Sequence, residues 1–187
     1  MKIGVIYGST RDLGNTELLA EHVIKGLNVR KIFLKDYEIE DIEDRRHEPG
    51  GFLDVEDDYN QLVEIMLDCD VLIFATPIYW YGMSGIMKTF IDRWSQVMRD
   101  EKYPHFKDEM SRKSAYILAV GGDDPQTKGV PLVEQFKYIC RFIGLEFQDY
   151  ILGEGVKPND ILEDKNSIDK ALKINEILVT IEKRIQN

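Results

Sequence analysis

The chain has 187 residues, 43% of them hydrophobic and 31% charged, with 24 basic and 34 acidic side chains for a net charge of −10. That length suits one sizeable α/β domain over residues 1–187 and is short for two, and so acidic a surface excludes nucleic acid, whose binding needs a basic footprint. No apolar run reaches the roughly 18–20 residues that span a bilayer, and no signal peptide precedes the first strand, so the expectation is a cytoplasmic protein without a membrane partner.

A first strand is expected over Lys2–Tyr7, where Ile3, Val5 and Ile6 are apolar and β-prone. It runs into Tyr7-Gly8-Ser9-Thr10-Arg11-Asp12-Leu13-Gly14-Asn15-Thr16, a polar loop feeding a helix. A helix start offers unpaired N–H groups and the positive end of a dipole, so such a loop is an anion site. Ser9, Thr10 and Thr16 add hydroxyls, Asn15 adds amide donors and Arg11 adds a fixed positive charge. Gly8 and Gly14 permit a tight turn and close approach to a ligand. The loop matches neither GxGxxG nor GxxxxGK[ST], and it lacks a lysine for a triphosphate. A terminal phosphate monoester suits it better.

The following helix carries Leu19, Ala20, Val23, Ile24 and Leu27 on one face, and Val29–Leu34 reads as a second strand. Residues 36–57 form a long acidic excursion containing Pro49-Gly50-Gly51, expected to serve binding or oligomer contacts unless it is simply a solvated surface. Tyr59, Leu62, Val63, Met66 and Leu67 mark a second helix, and Val71–Ala75 reads as a strand covered on both faces. After the loop Thr76–Gly85, a third helix has Ile86, Met87, Phe90, Ile91, Trp94 and Val97 on one stripe. Residues 98–113 read as charged and irregular. Ala115–Val120 is a fourth strand ending at Gly121-Gly122. Leu132, Phe136, Ile139, Cys140 and Ile143 mark a fourth helix stopped by Gly144, and Leu145–Leu152 is a fifth, edge strand. A last helix is expected from an N-cap at Ser167, with Ile174, Ile177, Leu178 and Ile181 facing the core.

Five strands alternating with helices imply an α/β three-layer sandwich around a five-stranded parallel sheet, flavodoxin-like, in the order 2-1-3-4-5. That order reverses between strands 1 and 3, placing the first loop beside Thr76–Gly85 at the strand C-termini. The second loop holds three consecutive aromatics, Tyr79-Trp80-Tyr81, between Pro77 and Gly82. Exposed aromatics lose water contact unless they cover a flat ligand or a partner, the alternative being that they seal the helix against the sheet. Ser84 is placed to cap the third helix, and Gly82 and Gly85 to offer N–H groups to a ring. Cys69 and Cys140 read as buried free thiols, and no metal is expected because His22, His47 and His105 lack ligand spacing.

Taken together, GSTRDLGNT, the middle segment TPIYWYGMSGIMKTFIDRW and the Gly-Gly after strand 4 resemble the NADPH-dependent FMN reductase family, over roughly residues 1–150. The likeness is greatest to its iron–sulfur-flavoprotein-like branch. The resemblance implies bound FMN, reduced nicotinamide (NAD(P)H) as electron donor, a small-molecule electron acceptor, and a homodimer or homotetramer. It assigns the phosphate to Ser9, Thr10, Arg11, Gly14, Asn15 and Thr16, and the isoalloxazine to Pro77, Ile78, Tyr79, Trp80, Tyr81 and Gly82. Gly121, Gly122 and Asp123 would lie on the pyrimidine side. Lys88, Phe90, Asp92 and Arg93 belong to the motif as structural or interface residues. The iron–sulfur members carry a cysteine cluster between strand 2 and helix 2. Residues 36–57 contain no cysteine, so no such cluster can be built there.

The expected function is therefore transfer of hydride from a nicotinamide to FMN and onward to a quinone, flavin, nitro or azo acceptor. No side-chain acid or base is required, since the cofactor carries the chemistry. A 2′-phosphate on the nicotinamide would need local positive charge, for which Arg45, Arg46 and Lys88 are candidates. The main alternative is a flavodoxin-like electron carrier, which the first loop and middle motif argue against. A receiver domain of the same topology needs acidic residues where this chain has Gly8-Ser9 and Thr76-Pro77. An interaction protein that has lost its flavin is disfavoured by the complete phosphate loop.

Overall fold

The computed structural model describes residues 1–186; Asn187, the final residue of the expected domain, lies outside the described residues. In chain order the elements are β1 (Ile3–Tyr7), α1 (Asn15–Val23), β2 (Val29–Phe33), α2 (Tyr59–Leu67), β3 (Val71–Pro77), α3 (Gly85–Asp92), α4 (Trp94–Val97) and α5 (Phe106–Met110). Then come β4 (Ser114–Gly121), α6 (Pro125–Lys128), α7 (Val130–Ile143), β5 (Glu146–Glu154) and α8 (Lys165–Gln186). Single 3₁₀ turns occupy Leu34–Asp36 and Asp160–Glu163. The strands form one parallel sheet in the predicted order β2-β1-β3-β4-β5.

Alternating residues of each strand build the two outer layers, as a period-2 pleat requires. Ile6, Phe74, Ile117 and Ala119 pack under α2, α3, α4, α5 and α7. Val5, Tyr7, Ile73, Ala75, Leu118 and Val120 pack under α1 and α8. Each large apolar side chain sealed in these layers contributes about 1.5–3 kcal/mol. Cys69 and Cys140 are buried free thiols, and burial pushes Cys140 up to about 12.

Five details differ from the sequence reading. The expected third helix is two, α3 and α4, divided at Arg93, although its stripe stays buried at Met87, Phe90, Ile91, Trp94 and Val97. Residues 98–113 contain α5, whose only buried residues, Phe106 and Met110, are too few to show a period. The short helix α6 went unseen for the same reason. The cap of α8 is Asp164, whose Oδ1 accepts the Ser167 N–H at 3.1 Å, while Ser167 lies inside the helix and donates its hydroxyl to the Leu152 carbonyl at 3.3 Å. On α8 the core face is Ala171, Ile174 and Leu178; Ile177 and Ile181 point to solvent.

The division at Arg93 coincides with the main polar network of the interior. The Arg93 side chain is buried with Asp57, Nη1 to Oδ2 at 2.7 Å, and it also donates to the Glu40 carbonyl at 2.9 Å and to Gln96 Oε1 at 2.7 Å. Its guanidinium lies 4.4 Å from the centre of the Tyr59 ring. Asp57 in turn accepts the N–H groups of Glu40 and Tyr59. The acidic excursion is therefore fastened at Glu40 and Asp57 to the α3–α4 junction. Its remaining acids, such as Glu43, Asp54 and Glu56, face solvent.

Candidate active site

β1 and β3 run in register to Tyr7 opposite Ala75, and the Gly8 N–H continues the pairing to the Ala75 carbonyl at 2.8 Å. A Cβ on Gly8 would meet Ser84 Oγ at 2.8 Å and the Met87 Cβ at 2.9 Å, so this glycine serves the packing of α3. Ser9 Oγ accepts the Arg11 N–H at 3.2 Å, fixing the bend of the loop. The loop then enters α1 through Gly14, an N-cap in extended conformation with no side chain to offer. The first N–H groups of α1 consequently have neither an intrahelical acceptor nor a cap from Gly14. Glu17 turns back from the first turn to accept the Leu13 N–H at 2.7 Å.

These donors face a cavity of about 220 Å³. Its wall includes Ser9, Arg11, Gly14, Asn15 and Thr16 from the first loop, Pro77, Ile78 and Tyr79 from the second, and Gly121 and Gly122 from the third. The strand C-termini thus unite three stretches spread over more than a hundred residues of chain. Thr10, exposed, and Trp80, Tyr81, Gly82 and Asp123 are not in the wall. Gly155 and Val156, after β5, are in it and went unrecognised, because a strand end without a motif carries no sequence signal. Asn15 Nδ2 gives one of its two N–H groups to the Lys157 carbonyl at 2.8 Å, tying that segment to α1, and the second N–H and the Asn15 backbone are what a ligand has.

The second loop is a two-residue hairpin. Tyr79 and Gly82 exchange both N–H···O bonds at 3.0 Å, and Trp80 and Tyr81 sit at φ of 49° and 65°. Two positive φ values mark a type I′ turn, which favours Gly and Asn; strain of about 1–3 kcal/mol falls on each larger residue. The hairpin engages the Gly82 N–H, which corrects the expectation that it is free for a ring. Trp80 is 96% exposed, Tyr79 57% and Tyr81 45%, so the aromatics do not seal the helix against the sheet. Ser84 does cap α3, its Oγ accepting the Met87 N–H at 3.3 Å, and its own N–H reaches Thr76 Oγ1 at 3.0 Å.

The third loop closes against the second and against the segment after β5. The Ile78 N–H bonds the Val120 carbonyl at 2.8 Å, and a Cβ on Gly122 would run into the Val156 side chain. Beyond it, Asp123 accepts the Tyr81 hydroxyl at 3.0 Å and Lys128 Nζ at 2.5 Å, joining α6 to the hairpin. The Lys128 ammonium, with the Tyr81 hydroxyl, holds the Asp123 carboxyl below the usual range. A second cavity of about 150 Å³ lies here, walled by Ile78, Trp80, Tyr81, Gly121, Gly122, Asp123, Pro125, Lys128 and Gly129. It shares Ile78, Gly121 and Gly122 with the first. The cations considered for a 2′-phosphate are each paired elsewhere: Arg45 with Glu48, Arg46 with Asp44, and Lys88 with Asp92.

Residues 1–142 match the family model described as NADPH-dependent FMN reductase. The chain belongs to that family. It is 53% identical over 174 residues to a Bacillus subtilis (strain 168) protein named as an NAD(P)H-dependent FMN-containing oxidoreductase, YwqN, covering 93% of this chain and 96% of that one. The solved Trp repressor binding protein from Bacillus subtilis superposes with a TM-score of 0.79 at 45% identity, over 92% of this chain and 96% of that one. An iron–sulfur flavoprotein of Archaeoglobus fulgidus is 34% identical over 97 residues, half of this chain and 48% of its own. As a member of the FMN reductase family, the protein is an FMN-dependent oxidoreductase with reduced nicotinamide as its electron donor. The first cavity is chemically suited to that cofactor. The helix start lacks a cap, Arg11 supplies charge, and a Cβ on Gly14 would stand 3.6 Å from Ser9 Oγ within the cradle.

Proposed function

We propose that residues 1–187 form a single FMN-binding domain that passes electrons from NAD(P)H to a small acceptor of the quinone, flavin, nitro or azo type. The phosphate of FMN is held by Ser9, Arg11 and the N–H groups of α1 at Gly14, Asn15 and Thr16. The ring lies between Pro77–Tyr79 and Gly121–Gly122, with Trp80 and Tyr81 beside its open side. Bound FMN supplies the redox chemistry, taking hydride from the nicotinamide and returning two electrons to the acceptor. The chain's own part is to orient the partners, shield the ring and offer backbone donors to it. What carries the reading is one cavity joining an uncapped helix start to the aromatic hairpin and the glycine pair.

The exposed hairpin also supports assembly into a homodimer or homotetramer, in which a second copy would cover Trp80, and the working location is the cytoplasm. The protein purified after FMN addition should be yellow, and anaerobic mixing with NADPH should bleach it. A protein that takes up no FMN sinks the reading, and one that stays oxidised is an electron carrier instead. Arg11→Ala is expected to weaken FMN binding roughly tenfold, the loss of one charge-assisted phosphate contact. Its melting temperature should be unchanged, because Arg11 is exposed. An unaltered affinity by fluorescence titration removes Arg11 from the site.

A further inference from the structure

The second cavity extends past the residues given to the flavin ring, adding Pro125, Lys128 and Gly129 to Ile78, Trp80, Tyr81, Gly121, Gly122 and Asp123. Its walls are apolar and aromatic at Ile78, Trp80 and Tyr81, and its cation is Lys128. Lys128 Nζ uses one of its three donors on Asp123 Oδ1, and its side chain remains 46% exposed. Asp123 has one oxygen on Lys128 and the other on the Tyr81 hydroxyl, which links the lysine to the hairpin. The net charge of −10 repels anions from the surface as a whole, which makes a local cation at a cavity mouth decisive for any anionic visitor. Exposed ion pairs of this kind are worth little, so Lys128 can turn from Asp123 to a ligand at small cost.

We propose that this cavity receives the molecule that exchanges electrons with the cofactor, and that it selects a flat ring tethered to an anionic group, the ring against Trp80 and Tyr81 and the anion on Lys128. This deepens the proposed function and rests on it for the identity of the neighbouring group. Two sources offer that chemistry: the phosphates of the nicotinamide dinucleotide, and a carboxylate or sulfonate on an aromatic acceptor. Lys128 is then a specificity-determining residue. Asp123 is a positioning residue that holds Tyr81 and tempers the lysine's charge.

The test is binding rather than turnover. Naphthalene-2-sulfonate, the neutral 2-naphthamide and NADP⁺ are titrated into FMN-loaded protein, followed by calorimetry and by quenching of tryptophan fluorescence. Lys128→Gln should weaken the sulfonate, NADP⁺ or both roughly five- to tenfold, as expected for one half-exposed charge contact, and leave the amide unchanged. Lys128→Arg should restore the lost affinity, and Asp123→Asn should strengthen anion binding, the opposite sign. A merely structural role moves sulfonate and amide together. Whether the sulfonate, NADP⁺ or both respond tells which source the site serves. Equal affinities of wild type and Lys128→Gln for both anions overturn the proposal. Because FMN affinity is titrated separately for each variant, failure to bind FMN is read as failure of the proposed function, with the anion comparison repeated on the unloaded protein.

Discussion

Arg93→Ala is expected to lower the unfolding free energy by about 3–5 kcal/mol, the loss that follows when one member of a buried ion pair is removed. Both side chains are almost wholly inaccessible, at 2% and 1%, so water cannot take the place of the guanidinium beside Asp57. The variant also loses the donors that hold the Glu40 carbonyl and Gln96, and the cation over the Tyr59 ring. The excursion between β2 and α2 should loosen with it, because Arg93 holds it at Glu40 and Asp57 and positions Gln96, which holds the Leu53 carbonyl, leaving Asp41 on Thr89 as the remaining tie to α3. Urea unfolding measures the first effect, and limited proteolysis within residues 41–56 measures the second. Arg93→Met combined with Asp57→Asn should recover part of the loss, since no uncompensated charge then remains buried. A loss below about 1 kcal/mol for the single variant, the range of exposed pairs, would show that the network is open to solvent.

Gly14→Asp should separate stability from cofactor binding. Gly14 occupies the N-cap of α1 at φ −73° and ψ 165°, a conformation open to any residue. Its added Cβ would make only ordinary contacts, 3.5–3.6 Å from Arg11 and Ser9. An aspartate there caps the helix, a gain over glycine of about a few tenths of a kcal/mol. The same carboxylate stands where the proposed FMN phosphate sits. Two unit charges ~4 Å apart repel by ~4 kcal/mol at an effective dielectric near 20, so FMN affinity should fall at least about 100-fold. Titration of FMN fluorescence and thermal unfolding of the same sample give both answers. A variant that unfolds no earlier and binds FMN within about threefold of wild type places the phosphate elsewhere.

Much of the candidate site was legible because its signals are local. The first loop announces itself by turning from β-prone residues to Gly, Ser, Thr and Asn before a helix period, and the second by three aromatics between Pro77 and Gly82. What these residues do with their hydrogen bonds was not legible. Asn15 gives one amide N–H to Lys157, 142 positions away, and the Gly82 N–H closes a hairpin whose positive φ values fall on Trp80 and Tyr81, residues that turn statistics disfavour. Lys128 escaped notice because a four-residue helix has no periodicity, and Ser167 looked like a cap because capping residues also occur inside helices.

The sequence by itself determined the layer architecture, the strand order and the two loops that meet, since apolar periodicity and right-handed crossovers leave few ways to bury these segments. It also determined, by placing no cysteine in residues 36–57, that an iron–sulfur cluster cannot be built there. Only the tertiary structure decided which polar groups remain available to a ligand and which are taken. A side chain's donors are committed by neighbours distant in the chain, and no local pattern records whether Asp57 reaches Arg93 or whether Asp123 joins Tyr81 to Lys128.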